Sequence, residues 1–205
     1  LQPAKPLVTH GAAGISRKGK DVGQASHYYS FTRLATTGSL TIDGEQFEVT
    51  GLTWMDHEFG SAELGTDQVG WDWFSIQLED DTELMLYRMR RKDGSSDLAS
   101  SGTAVSPDGR TRHLEVTDFQ IESIATWASP ESKATYPSRW KLTFPSLDLV
   151  LDVTPLLADQ ELRTSRSTKV SYWEGAVAVI GTKQGKPVKG QGYVELTGYA
   201  ERLKL

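Results

Sequence analysis

The residues best suited to chemistry in this chain are Asp56, His57 and Glu58, three consecutive ionisable groups set between Trp54 and Phe59. A second aromatic–acid–aromatic set follows at Trp71-Asp72-Trp73-Phe74. The two blocks place three of the six tryptophans beside four acid or imidazole groups. Indole rings exclude water, and a carboxyl group held among them has its pKa raised until it can donate a proton near neutrality. Such a donor protonates an unactivated double bond or polarises a carbonyl. Ring faces then stabilise developing positive charge, by about 2 kcal/mol for a desolvated ring. Asp56 and His57 are the expected catalytic acid–base residues, with Trp54, Trp71 and Trp73 as the ring faces. Strand alternation is expected to turn Glu58 elsewhere. The competing reading of the same pair is structural, a buried Asp-His contact that bonds loop backbone.

Other chemistries lack their residues. Neighbours on a strand point opposite ways, so one ion could take at most two of Asp56, His57 and Glu58. His10, His27 and His113 have no ligand spacing to His57, and His-Glu-x-x-His is absent, so no metal is expected. Gly-x-Ser-x-Gly does not occur, which leaves a hydrolase without a marked nucleophile. Cysteine is absent, removing disulfides, thiolate metal sites and a Cys nucleophile together. The Gly190-Gln191-Gly192 run lies inside a strand pattern and opens no helix, so no nucleotide cofactor is expected. With a net charge of −5 and no basic run longer than Arg88-Met89-Arg90-Arg91-Lys92, nucleic acid is disfavoured as a partner. No apolar run is long enough for a membrane span.

These groups need a frame, and its pattern is that of strands. The 205 residues are 38% hydrophobic, enough for one domain with a real core. Residues 1–26 are rich in Pro and Gly, with scattered Lys and Arg, and read as a linker or extended arm. From His27 onward, β-branched and aromatic stretches alternate with turn residues. Asp43-Gly44 joins Ser39–Ile42 to Glu45–Val49, and Glu79-Asp80-Asp81 joins Trp71–Leu78 to Thr82–Arg90. Pro107-Asp108-Gly109 separates Thr103–Ser106 from Arg112–Ile121, and Pro145-Ser146 separates Trp140–Phe144 from Leu147–Val153. Gln184-Gly185 turns Ser167–Gly181 back into Val188–Leu205. The spacing predicts an all-β fold, an antiparallel barrel or sandwich of about ten strands with little helix. Pro155–Arg163 could be two helical turns or a loop.

Sorting side chains by alternation gives two kinds of face. Asp72, Phe74, Ile76 and Leu78 oppose Trp71, Trp73, Ser75 and Gln77. Trp173, Val177 and Val179 oppose Tyr172, Glu174, Ala176, Ala178 and Ile180, and Val194 and Leu196 oppose Tyr193, Glu195, Thr197 and Tyr199. The faces carrying Trp71, Trp73, Tyr172, Glu174 and Glu195 mix aromatics with single charges, as the lining of an apolar-ligand cavity does. Core packing is the plainer account of the same aromatics.

At these residues the chain resembles a known family. Trp-Met-Asp-His-Glu-Phe-Gly (54–60), Gly-Trp-Asp-Trp-Phe (70–74) and Glu-Leu-Met-Leu-Tyr-Arg-Met-Arg (83–90) are similar to the AttH / carotenoid 1,2-hydratase (hydroxyneurosporene synthase) family of lipocalin-like proteins. Tyr-Pro-Ser-Arg-Trp (136–140), Tyr-Trp-Glu-Gly (172–175) and Gly-Tyr-Val-Glu-Leu-Thr-Gly-Tyr (192–199) fit as well, most closely the branch labelled predicted secreted hydrolases. The resemblance implies a lipocalin-like C-terminal domain over 27–205, with residues 1–26 the linker from, or remnant of, a preceding N-terminal lipocalin-like barrel. It also implies large apolar substrates such as polyenes, isoprenoids or lipids, which are hydrated, isomerised or cyclised. A non-enzymatic carrier or assembly module is the alternative, and a hydrolase a lesser one. Asp56 and His57 match the family's Asp-His block, and Trp71, Trp73 and Tyr87 fall at its recurring aromatic positions. A periplasmic or secreted location is suggested by the resemblance alone. A chain beginning Leu-Gln-Pro, with no Met at its first position, is expected to be trimmed or cut from something longer.

Overall fold

The computed structural model of the chain describes residues 1–60, 64–164 and 170–201. Two antiparallel sheets organise it. The smaller holds β1 (Gln2–Pro3), β2 (Val8–Thr9), β3 (Ile15–Arg17), β4 (Ala25–Ile42) and β5 (Glu45–Gly60), and every other member pairs with β4. The larger holds β6 (Gln68–Leu78), β7 (Glu83–Arg91), β8 (Ser101–Val105), β9 (Thr111–Glu115), β10 (Gln120–Ala128), β11 (Thr135–Phe144), β12 (Leu149–Pro155), β13 (Glu161–Arg163), β14 (Ser171–Lys183) and β15 (Lys186–Leu196). Its order is β10-β11-β12-β14-β15-β6-β7-β8-β9, with β13 on β14, and it curls into a lipocalin-like half-barrel. Helix is confined to one 3₁₀ turn at Pro145–Leu147 among the described residues, and no helix there is long and apolar enough to cross a membrane.

The turn chemistry read from the sequence sets the registers. Asp43 (φ 52°) and Gly44 (φ 86°) are both left-handed, the geometry of a two-residue hairpin, and Ile42 pairs with Glu45 across them. Gln184 and Gly185 (φ 51° and 72°) do the same between β14 and β15, where Lys183 pairs with Lys186. Elsewhere the structure adds to the sequence pattern or departs from it. Residues 2–17 supply three short strands along β4, too brief to show any alternation. The expected strand Arg112–Ile121 is cut at 116–119 into β9 and β10. Pro155–Arg163 is no helix: Leu156 and Leu157 are exposed, and the segment lies against β14, where Trp173 Nε1 donates to Ala158 O at 2.8 Å.

The inner face of the large sheet is filled by its own side chains. Phe74, Ile76, Leu84, Leu86, Trp140, Leu142 and Trp173 are all buried there. Trp140 meets Phe74 edge-on at 5.6 Å and Trp173 at 6.1 Å. Burying each such side chain contributes roughly 1.5–3 kcal/mol, so this layer dominates stability. Asp72 points into it and is held by Arg88, by Arg90 Nε at 2.9 Å and by the Tyr199 hydroxyl at 3.0 Å. Tyr199 therefore leaves the mixed face expected of it. β15 ends at Leu196, and the left-handed Gly198 (φ 71°) redirects the chain inward.

The small sheet covers part of the large sheet's outer face. Buried ions fasten the two: Glu83 accepts from Lys5 Nζ at 2.8 Å and from Arg33 Nε at 2.5 Å. Arg33 also donates to Leu78 O (2.8 Å) and Lys5 to Ser106 O (2.9 Å), so charges removed from water keep their hydrogen bonds.

Candidate functional site

Between the sheets the outer face of β6, β7 and β15 does not close against β4 and β5. A pocket of about 400 Å³ remains, walled by Trp71, Trp73, Tyr87 and Met89 on one side and Tyr28, Asp56 and Glu58 on the other. Glu195 and Lys18 complete it. A second chamber of about 530 Å³ shares Asp56 and Trp73 with the first and continues past Trp54, Ser75, Gln77, Gln191 and Tyr193. The Trp54 and Trp73 rings meet edge-on at 6.4 Å between the two. The mixed faces of the strands do line a cavity, but it lies outside the half-barrel and not within it.

Alternation along β5 decides which ionisable groups enter. Trp54, Asp56 and Glu58 share one face; the His57 ring lies on the other, parallel to Tyr29 at 5.0 Å and edge-on to Phe59 at 5.2 Å. The structure thus brings Asp56 together with Glu58, the residue expected to face elsewhere, and leaves His57 outside the pocket. Asp72 is also absent from it, being on the inner face of β6.

Asp56 is tightly oriented. Its Oδ1 accepts from Trp54 Nε1 at 2.7 Å and from the Ser30 hydroxyl. Ser30 in turn contacts His10 Nε2 at 2.7 Å, and His10 Nδ1 contacts Thr103 Oγ1 at 2.9 Å. Burial holds the His10 pKa down at about 3, so the imidazole is neutral and passes one hydrogen bond on to Ser30 while accepting another from Thr103. Histidine, serine and aspartate adjoin here in an order that suits no serine nucleophile: Ser30 is fully buried and its proton points to Asp56. Asp56 opens onto both chambers, yet protein crowds its carboxyl, and desolvation raises its pKa against the lowering pull of Ser30, Trp54 and Tyr28. Burial, then Asp56 and Glu58, likewise hold the Tyr28 phenol well above its usual value. Its oxygen accepts from Trp73 Nε1 at 3.0 Å.

Glu195 pairs across the sheet with Trp73 on one side and Glu174 on the other. Burial raises its pKa from 4.5 to about 7; a hydrogen bond from Trp71 opposes this, while Glu174, Glu58 and Asp56 add to it. Near neutrality both its protonated and its ionised forms are therefore populated. Burial also raises Glu174 and Tyr172, which sit on β14, one strand beyond Glu195, and do not line the first pocket. Tyr87 lines it with its ring, the hydroxyl being tied to Ser101 Oγ and Arg17 O, both at 2.8 Å.

Lys18 had no signal in the sequence beyond being one of several cations in a Gly-rich arm. Its Nζ lies 2.8 Å from Glu58 Oε1, 3.9 Å from the Tyr87 ring centroid and 5.2 Å from that of Tyr28. Glu58 also accepts from Ser26 Oγ at 2.5 Å. Tyr28, Ser30 and His10 were equally silent, because their roles depend on which strand crosses which. Among the described residues no three His, Asp or Glu side chains gather to hold a metal ion.

The AttH-like family profile matches residues 1–199. The chain belongs to the AttH-like family. A crystal structure of an AttH from Nitrosomonas europaea superposes with a TM-score of 0.87 at 38% identity, covering 97% of this chain and 60% of that one. The kievitone hydratase of Nectria haematococca shares the fold, with a TM-score of 0.77 at 23% identity over 96% of this chain and 59% of that one. Dehydratase asqC of Emericella nidulans is 24% identical over 203 residues, 94% of this chain and 55% of that protein. The AttH-like chain thus spans little more than half the length of these relatives.

Proposed function

We propose that this AttH-like chain carries the pocket of a hydratase- or dehydratase-type lyase acting on a large, mostly apolar molecule of polyene, isoprenoid or lipid-like character. The observation that carries this reading is Glu195, a carboxyl group poised at about 7 among Trp71, Trp73 and Tyr87. Adding or removing water needs one group that delivers a proton to the leaving hydroxyl or to the double bond, and another that receives one. Glu195 supplies the first. Asp56, held in place by Ser30 and Trp54, supplies the second. The relatives named kievitone hydratase and dehydratase support the same reaction class. His57 then acts on β5 and Tyr29, away from the reacting atoms.

The test is incubation with acyclic carotenoids, hydroxylated isoprenoids and unsaturated fatty acids, scoring gain or loss of one water by mass. Glu195→Gln should lower turnover about 10²-fold while leaving ligand quenching of tryptophan fluorescence intact. Unchanged turnover in that variant overturns the assignment. Binding in the wild type with no turnover of any substrate favours a carrier.

A further inference from the structure

We propose that the Lys18 ammonium is the pocket's anion-stabilising group, so that the ligand presents an acidic oxygen there: a ketone that becomes an enolate, or a phenol that becomes a phenolate. This rests on the pocket being the reaction site, as above, and narrows what can react in it. An aromatic pocket without a cation favours developing positive charge. Here the Tyr87 and Tyr28 ring faces already hold a resident cation at 3.9 and 5.2 Å. A carbocation formed at that end would face a like charge, whereas an oxyanion would meet an opposite one.

Lys18 is built in. Its backbone N–H donates to Gln24 O at 2.7 Å, and its carbonyl accepts from Gln68 Nε2 at 2.7 Å, which pins the residue between the small sheet and β6. Its side chain is only 17% exposed, so water screens the charge little, and in the resting pocket Glu58 balances it at 2.8 Å. An ammonium carries three N–H bonds, and the ion pair to Glu58 at 2.8 Å engages one of them. Glu58 shares its own charge with Ser26.

The reaction consistent with this is elimination of water from a β-hydroxy ketone, or its reverse. The Asp56 carboxylate takes the proton from the carbon next to the carbonyl, and that C–H pair becomes the enolate double bond while the carbonyl π pair moves onto oxygen, facing Lys18. The enolate then re-forms C=O and a conjugated C=C as the β C–O bond breaks. The hydroxyl leaves as water with the proton of Glu195. Asp56 ends protonated and Glu195 ionised, and exchange with solvent resets both.

Binding of chalcone and para-hydroxychalcone separates the possibilities without any turnover, because the phenolate absorbs at longer wavelength than the phenol. The bound phenol should ionise about one pH unit or more lower on the wild-type chain than on Lys18→Met, and Lys18→Arg should restore the lower value. Burial, Asp56 and Glu58, which hold the Tyr28 phenol up, raise both alike. Equal values on the wild type and Lys18→Met overturn the proposal while leaving the pocket reading in place. If neither dye quenches the tryptophans, this inference fails, and the pocket reading is decided by the turnover test above. Lys18→Gln takes the place of Lys18→Met if that variant does not fold.

Discussion

The two faces of the large sheet are built from similar residues and do opposite things. Inside, the buried rings of Phe74, Trp140 and Trp173 pack against one another, and the buried carboxylate of Asp72 is matched by two arginines and a tyrosine. Outside, Trp71, Trp73 and Tyr87 lie under a second sheet that covers them incompletely, leaving carboxyl groups with raised pKa values beside open volume. Aromatic content does not distinguish a core from a site. What distinguishes them is whether the opposing layer has the shape to fill the gap and the charges to satisfy the acids.

Substitution should break the comparison most visibly at Trp140. Trp140→Ala is expected to cost about 3–5 kcal/mol in urea unfolding, by opening a cavity in the filled face, whereas Trp71→Ala on the open face should cost far less. Comparable losses at both positions would mean that the pocket closes in solution. Next comes the junction between the faces. Glu83→Gln leaves Lys5 and Arg33 without their shared buried carboxylate, and roughly 3 kcal/mol should be lost, measured in the same way. A loss close to zero would show the ion cluster to be dispensable.

Glu195 gives a pH signature. Its folded pKa, about 7, lies above the unfolded 4.5, so between those values the folded state holds a proton that the unfolded chain has released. The group's contribution to stability therefore falls as pH rises through that window, by on the order of 2–3 kcal/mol. Glu195→Gln should gain on the wild type as pH goes from 4.5 to 8, and a constant difference across that range would refute the raised pKa. The smallest effect is expected at His57. On the outer side of β5 its contacts are Tyr29 and Phe59, and His57→Gln should change stability by less than about 0.5 kcal/mol with turnover unaltered. Lost turnover in a folded His57→Gln protein would return the residue to the site.

Much of the fold was readable in advance, because turns and alternation are local. Asp43-Gly44, Pro107-Asp108-Gly109 and Gln184-Gly185 mark hairpins that close where they were expected. The two-faced character of β6 also follows from the order of its side chains. The short strands β1–β3 and β13 were not readable, since two or three residues carry no period. The site was half legible. Asp56, Trp71, Trp73, Tyr87 and Glu195 stand out by type, and the structure gathers them. His57 stood out equally and lies elsewhere, while Glu58 was set aside and lies within.

What the sequence determined by itself is the pattern of strands and turns and the division of each strand into two faces. Steric alternation and left-handed turn residues act within a few positions of the chain. Which face would be filled and which left open was decided by tertiary structure. So was the arrival of Lys18, Tyr28 and the His10–Ser30 pair beside Asp56, because it depends on the docking of β3, β4 and β5 over β6, β7 and β15 across long sequence separations. A residue's neighbours along the chain are fixed by alternation, but its neighbours across a pocket are chosen by packing.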